Sequence, residues 1–391
     1  MRVLVLGSTY PPHALGGYEL SCHDVVSRWR AKGHEVEVLT TDLRVPGVAD
    51  VDEPSVRREL RWYWEDHRLL VPTWPERVRL ERYDQGVLRR ALDEKPDVVS
   101  VWSMGAMPLQ LVSALVRSGI PTVLVVCDDW LWYGPSIDPW TKAFRDHPRR
   151  ARLVERVTGV PARLPDDLGE RVTTAFVSER TRQAAEDRTR WTFPGASVVP
   201  SGIDLGDFPL SAGDPRPWRG RLLGVGRLDP RKGFATAVRA LRELPGTALR
   251  LVGHADPRHR AELEALGAGL PLTFDAVRRA QLRDVYVDAD VLLFTSTWEE
   301  PFGLVPLEAM ACGTPVVAVP SGGAADYLVD GGNALLVPAG DASALAAAVR
   351  RLAGDAGLRE RLVAGGLVTA ARYTTDGYAD VLEQLHLGVL R

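Results

Sequence analysis

The sequence predicts two doubly wound α/β domains in tandem, each a parallel sheet flanked by crossover helices. Three observations lead there. At 391 residues the chain exceeds what one hydrophobic core ordinarily fills, so two domains of roughly 200 residues are expected. The chain opens with a strand, a Gly/Pro-rich turn, a helix and a second strand, an order that calls for parallel pairing through a crossover helix. After a proline- and glycine-rich stretch near the middle, the same alternation begins again.

Arg2–Leu6 is an apolar, β-branched run, followed by a helical pattern over about Tyr18–Ala31 and a strand at Val36–Thr40. Pro96–Val101, Pro121–Cys127, Val172–Ser178 and Ser197–Val199 continue the strand pattern. Between them, Asp50–Gln85 is irregular and holds Trp62, Tyr63, Trp64, Trp74 and Tyr83. It is either a lid or acceptor loop, or an amphipathic hairpin or helix with its aromatics in a local core. Leu205–Gly220 is poor in apolar residues, so residues 206–220 are expected to link a domain over 1–205 to one over 221–372. In the second series the strands are Arg221–Val225, Ala248–Val252, Leu270–Phe274, Val291–Thr295, Pro315–Val319 and Ala334–Val337, with helices such as Ala235–Leu244 and Ala342–Ala353. A last helix covers about Tyr373–Leu387, within a C-terminal segment 373–391. Doubly wound sheets bind ligands at the carboxyl ends of their strands, and two in tandem leave a cleft for one.

Composition narrows the classes of function. With 45% apolar and 25% charged residues the chain has the make-up of an ordinary folded protein. A net charge of −3, with acids and bases balanced in both halves, gives nucleic acid no electrostatic footprint. Only four of the 48 cations are lysines, an arginine bias like that of a GC-rich bacterial coding sequence, so a lysine at a motif position is less a matter of chance. Cys22, Cys127 and Cys312 lie far apart, in no metal or redox spacing. The start lacks the pattern of a signal peptide, and no apolar run reaches the ~18 residues of a membrane span. A cytoplasmic protein is expected, with any membrane contact peripheral at the inner face.

The strongest chemical signal is Gly226-Arg227-Leu228-Asp229-Pro230-Arg231-Lys232-Gly233, after a strand and before a helix. Arg227 and Lys232 at a helix amino end suit a diphosphate that gains charge as a bond to it breaks. A second signal is Glu300-Pro301-Phe302-Gly303-Leu304-Val305-Pro306-Leu307-Glu308. Pro306 is expected to open a helix at its first position, with Glu308 in the first turn and Glu300 on the loop before it. Two separately held carboxylates suit paired hydroxyls, as on a ribose and a hexose, and the amides of Phe302, Gly303 and Leu304 suit sugar oxygens. Glu308 alone also reads as a helix-dipole partner. Gly16-Gly17, after the first strand, lets a phosphate or sugar reach the backbone, or is simply a turn. Neither glycine cluster has the spacing of a dinucleotide fingerprint, since Asp229 stands where Gly224-Val225-Gly226 needs its third glycine. An NAD-dependent oxidoreductase therefore lacks its signature.

Together these residues resemble the retaining glycosyltransferases of family 4, of GT-B fold. The resemblance covers nearly the whole chain. It includes Pro11-Pro12 to Gly17 and Glu19, Val199-Pro200-Ser201-Gly202-Ile203-Asp204, Glu308-Ala309-Met310-Ala311-Cys312-Gly313-Thr314-Pro315, and Gly322-Gly323. It implies a nucleotide diphosphate sugar as donor (a UDP-sugar in the first place, a GDP-sugar in the second) and a hydroxyl of a saccharide, lipid or secondary metabolite as acceptor. Arg227 and Lys232 would hold the diphosphate, Glu308 the ribose hydroxyls, Glu300 and the 302–304 amides the transferring sugar, and Gly17 the phosphate. It further implies a front-face mechanism without a protein nucleophile, metal or cofactor, and a last helix crossing back to the first domain. Two positions depart from the pattern. Cys127-Asp128-Asp129-Trp130 stands where His-Asp-x-Trp is frequent, so the imidazole's role is lost or passes to Asp128 or Cys127. Asp326 replaces a glutamate after Gly322-Gly323. A non-catalytic nucleotide-sugar-binding subunit is the alternative that Cys127 keeps open.

For the acceptor, Trp130, Trp132 and Tyr133 follow a strand end and could stack on sugar faces or fill the core. Base recognition is expected near Gly253 and Thr273–Gln281. The segment holding Lys142, Arg145, Arg149, Arg150, Arg152, Arg156 and Arg163 against only Asp146 and Glu155 is a solvated face or a contact for anionic lipid or a phosphorylated acceptor.

Overall fold

The computed structural model describes residues 1–51, 53–65, 68–69, 73–211 and 217–391. It divides into two compact units, Met1–Pro200 with Tyr378–Arg391, and Ser201–Gly377. Each is built on a parallel sheet.

In the first unit, β1 (Arg2–Leu6) leads through α1 (Gly17–Ala31) to β2 (Glu35–Thr41) and β3 (Val56–Leu60). A short hairpin, β4 (Trp64–Glu65) and β5 (Arg68–Leu69), precedes α2 (Trp74–Asp93) and β6 (Val98–Val101). Then come α3 (Gln110–Ser118), β7 (Thr122–Val126), α4 (Trp130–Ile137), α5 (Pro139–Phe144), α6 (Pro148–Thr158), α7 (Leu168–Arg171), β8 (Thr173–Phe176), α8 (Glu179–Arg188) and β9 (Ser197–Val198). The sheet order is β3-β2-β1-β6-β7-β8-β9. Apolar side chains alternate to its two faces: Leu4, Leu6, Val99 and Leu124 enter one core, Val3, Val5, Val98 and Val123 the other.

The aromatic-rich stretch is thus an edge strand, a hairpin and the start of a helix. Trp64 and the residues that follow it, up to 72, include positions whose side chains lie outside the described residues. Tyr63 is buried and donates to Asp138 Oδ1 at 3.0 Å, the oxygen that also takes Arg77 Nη2 at 3.0 Å. Asp138 Oδ2 accepts the Thr141 amide at 2.8 Å and so caps α5. Trp74, 49% exposed, stacks on buried Trp140 with centroids 5.2 Å apart. Of the aromatics, Tyr63 is thus local core and Trp62 half-buried, while Trp74 and Tyr83 are exposed.

In the second unit β10 (Arg221–Val225), α9 (Phe234–Leu241), β11 (Ala248–Val252), α10 (Pro257–Leu266), β12 (Leu272–Asp275), α11 (Arg279–Asp288), β13 (Val291–Phe294), α12 (Leu304–Ala311), β14 (Val316–Ala318) and β15 (Leu335–Leu336) precede α13 (Ala342–Gly354), α14 (Ala356–Ala370) and α15 (Thr375–Gly388). The sheet order is β12-β11-β10-β13-β14-β15. The winding direction reverses between β10 and β13, and sheets of this kind bind ligands at the carboxyl ends of the strands at such a point. The stretch before β10 belongs to this unit: Phe208 is buried edge-on against Tyr286, while residues 212–216 of the expected linker lie outside the described residues.

From Tyr378 onward α15 packs with the first unit. Trp29 of α1, fully buried, donates its indole N–H to Ala379 O at 3.1 Å and meets His386 edge-on at 4.8 Å. Burial holds that imidazole neutral, pushing it down to about 4.

The turn after β10 passes directly over the end of β11. A Cβ on Gly253 would stand 1.9 Å from Gly226 O, at a φ of 156° that other residues rarely adopt. Gly253→Ala should therefore destabilise the protein by about 2 to 4 kcal/mol in urea denaturation. A change under about 0.5 kcal/mol would mean that this crossing is looser than described.

Candidate functional site

Two turns at the reversal point of the second sheet hold most of the candidate residues. After β10 the chain bends through Arg227 to Asp229 and forms a 3-10 turn, Pro230–Lys232. Asp229 accepts the Arg231 amide and, along one edge of its guanidinium, Nε and Nη2 at 2.9 and 2.7 Å, which pull the carboxyl down to about 2. Arg231 also covers the Trp298 ring at 5.0 Å. Its charge is thus engaged in shaping the turn. Arg227 is exposed and pairs with no carboxylate among the described residues. Lys232 reaches across to β13's loop, its Nζ 2.6 Å from Glu300 Oε1 and 5.4 Å from the Trp298 centroid.

Glu300 is 5% exposed, and its carbonyl accepts the Gly323 amide at 2.7 Å. Phe302 points its ring inward to Tyr327 and Tyr373, at 5.4 and 5.5 Å, so only its backbone can serve a ligand. The helix begins two residues earlier than expected. Gly303, at φ 83°, is the N-cap and Leu304 the first helical residue; Pro306 sits third, where its missing amide costs nothing. Glu308 consequently stands in the second turn, beyond the first-turn dipole position. No side chain caps this helix, so its opening amides are left for a ligand or water.

Glu308 Oε2 accepts the Tyr286 hydroxyl at 2.6 Å. Burial raises the Glu308 carboxyl, with the tyrosine hydroxyl pulling the other way. Tyr286 is fixed in turn by Phe208 and by Thr314, whose hydroxyl donates to its carbonyl at 2.7 Å. Burial, and then the Glu300 and Glu308 charges, push the Tyr327 phenol well up, and its hydroxyl donates to the carbonyl of Gly303. Lys232 and Glu300 are thus in contact, the 302–304 backbone and Glu308 follow Glu300 along the same segment, and Arg227 lies on the same turn as Lys232. Sequence reasoning missed Tyr286, Tyr327 and Trp298, which orient this group from elements without a motif of their own. Gly253, expected near a base, serves the backbone crossing beneath the turn.

In the first unit, Gly16 and Gly17 are exposed at the start of α1, which no side chain caps. A Cβ at Gly17 would meet nothing within 4 Å, so protein packing does not demand glycine there. The Glu19 carboxylate lies beside Gly16, 3.6 Å from where its Cβ would be.

Asp128 follows β7. Its carboxylate accepts the Trp130 amide at 3.0 Å and the Tyr133 hydroxyl at 3.3 Å. Burial, outweighing those donors and aided by Asp129 and Glu19, raises it to about 7. Cys127 lies 3.4 Å from the Tyr378 hydroxyl, and its amide donates to Tyr18. Burial pushes the thiol up to about 12, so it is a packed, protonated group and no nucleophile. The three aromatics separate. Trp130 is 1% exposed within the core and offers no face to a sugar, which corrects the expectation of a stacking role. Trp132 and Tyr133 are partly exposed, with Arg188 over the Trp132 ring at 4.9 Å.

Comparison with known proteins adds three findings. Residues 219–367 match the family described as glycosyl transferases group 1, and residues 16–202 match a glycosyl transferase 4-like domain. A glycogen synthase of Mycobacterium tuberculosis is 27% identical over 400 residues, covering 92% of this chain and 88% of that protein. Among solved structures, the sucrose-phosphate synthase of Thermosynechococcus elongatus superposes with a TM-score of 0.74 at 20% identity, covering 99% and 98% of the two chains. Anabaena HepE, solved with UDP and glucose, gives 0.68 at 19% identity, covering 98% of each. No helix among the described residues is long and apolar enough to cross a membrane.

Asp128 titrates above its unfolded value, so the stability it confers is complete in acid and is lost as the pH rises through about 7. Asp128→Asn should therefore melt higher than the parent at about pH 8.5, with the gap narrowing at about pH 5 and closing only near the free carboxylate value of about 4. An equal gap at both pH values would mean the carboxyl is ionised throughout.

Proposed function

The chain belongs to the glycosyl transferases group 1, of the family 4 kind with GT-B fold, and is a glycosyltransferase; from that premise we propose that it moves a sugar from a nucleotide diphosphate sugar to an acceptor hydroxyl with retention at the anomeric carbon. The acceptor is a saccharide, a lipid or a secondary metabolite. HepE's complex with UDP and glucose makes UDP-sugars the first donors to test, ahead of GDP-sugars.

The observation that carries this reading is the Lys232–Glu300 pair at 2.6 Å, beside exposed Arg227 and the uncapped start of α12. When the bond from the anomeric carbon to the diphosphate breaks, negative charge grows on the phosphate oxygen. Arg227, Lys232 and the α12 amides would stabilise it where it develops, which supplies the charge a divalent cation would otherwise bring. A diphosphate arriving at Lys232 takes over its ammonium and frees Glu300 to accept hydrogen bonds from the transferring sugar. Glu308, oriented by Tyr286, would accept the ribose hydroxyls. The departing phosphate oxygen would remove the acceptor proton on the same face, so no protein nucleophile is required. In the first unit the exposed amino end of α1 at Gly16 and Gly17 would offer backbone amides to a phosphate. Asp128 takes the polar role of the absent imidazole, and acceptor contact falls to Trp132 and Tyr133.

Thermal shifts with UDP-, GDP-, ADP- and TDP-sugars should show one base raising the melting temperature by mass action. If none does at saturating concentration, the donor reading fails. With the preferred donor, Glu300→Gln should lower turnover by about 10²- to 10³-fold while leaving the circular dichroism spectrum unchanged. Full activity in that variant would remove Glu300 from the reaction.

A further inference from the structure

Helix α6 has one face committed to the protein and one that is not. Ala151, 2% exposed, packs with Trp140, Phe144, Val160 and Ala162, and Val154 is partly buried on the same cluster. Glu155 also turns inward, holding Arg117 at 3.1 Å and accepting the Ala162 amide at 2.8 Å. On the opposite face stand Leu153 and Val157, 63% and 70% exposed, the most exposed large apolar side chains among the described residues. Four positions apart, they form one stripe along the helix.

Arginines border that stripe. At about 100° per residue, Arg149 and Arg156 fall to one side of it, with Arg152 further round, and Arg150 falls to the other. All four are exposed, and none pairs with a carboxylate among the described residues, although neighbouring Arg117, Arg145 and Arg163 each do. A solvated face would keep neither two bare aliphatics at its centre nor four uncompensated cations around them. The combination complements a surface that is anionic at the level of the arginines and apolar just beneath it. Nucleic acid offers the charge but gives Leu153 and Val157 nothing to enter.

We propose that α6 is an interfacial helix through which the first unit docks on an anionic lipid surface. Its 11 residues span only about 16 Å, so it lies in the head-group plane with Leu153 and Val157 directed into the acyl boundary. This surface is independent of the donor chemistry and holds whatever sugar is transferred.

Sedimentation of the full-length protein with vesicles tests it. Binding is expected to phosphatidylcholine vesicles carrying about one-third phosphatidylglycerol, not to phosphatidylcholine alone, and to weaken at high salt. Arg149→Glu/Arg150→Glu/Arg156→Glu should cut partitioning at least about tenfold. Leu153→Ser/Val157→Ser should weaken it several-fold with the melting temperature unchanged, since both side chains are exposed. The equal charge change Arg258→Glu/Arg351→Glu/Arg361→Glu, in the second unit, should leave it intact. No binding at low salt overturns the proposal, as does equal loss in the second-unit variant. So does a serine variant that binds like the parent and is competed off by a single-stranded oligonucleotide, which would mark a general polyanion site.

Discussion

A lysine ammonium held 2.6 Å from a nearly buried carboxylate joins the two turns on which the candidate site rests. Lys232 comes from the turn after β10 and Glu300 from the loop after β13, elements 68 residues apart in sequence. Each charge would be poorly solvated without the other, so the pair fixes the ligand-free position of both. It also sets a condition on the chemistry. If Lys232 meets a phosphate and Glu300 a sugar, as proposed, each is already engaged with the other, so donor binding would exchange both contacts together.

Sheet order makes that meeting unavoidable. In β12-β11-β10-β13-β14-β15 the adjacent strands at the reversal are β10 and β13, and both run parallel, so their carboxyl ends discharge their loops side by side. Beneath, Gly253 lets the β10 turn cross β11 closely. Around them, Tyr286 holds the Glu308 carboxylate and Tyr327 holds the Gly303 carbonyl at the start of α12. Lys232, Glu300 and Glu308 thus each have a fixed partner, while Arg227 is exposed.

Much of this was legible in the sequence. The strand runs and the doubly wound order follow from apolar, β-branched segments alternating with helical ones, and the pairing of Arg227 with a rare lysine marked the β10 turn. What was not legible has local physical causes. Val56–Leu60 escaped notice because it is an edge strand of half-buried Arg and Glu, stabilised by Arg57 against Glu37 and Glu94 rather than by alternation. The start of α12 was misplaced because the positive φ of Gly303 outweighs the usual first-position preference of Pro306. Trp130 could not be told from Trp132 because both follow the same strand, and only the direction of α4 decides which ring enters the core. Tyr286 has no motif at all; it reaches Glu308 through the packing of α11 on α12.

The most direct measurement is calorimetric titration of the preferred nucleoside diphosphate, without sugar, into the parent and Glu300→Gln. If Glu300 holds Lys232 until a diphosphate displaces it, removing the carboxylate charge releases the lysine, and the variant binds more tightly, by about tenfold for one unit of pairing energy near 1.4 kcal/mol. An unchanged or weaker affinity in Glu300→Gln would contradict the account, because Lys232 would then not be exchanged between carboxylate and phosphate.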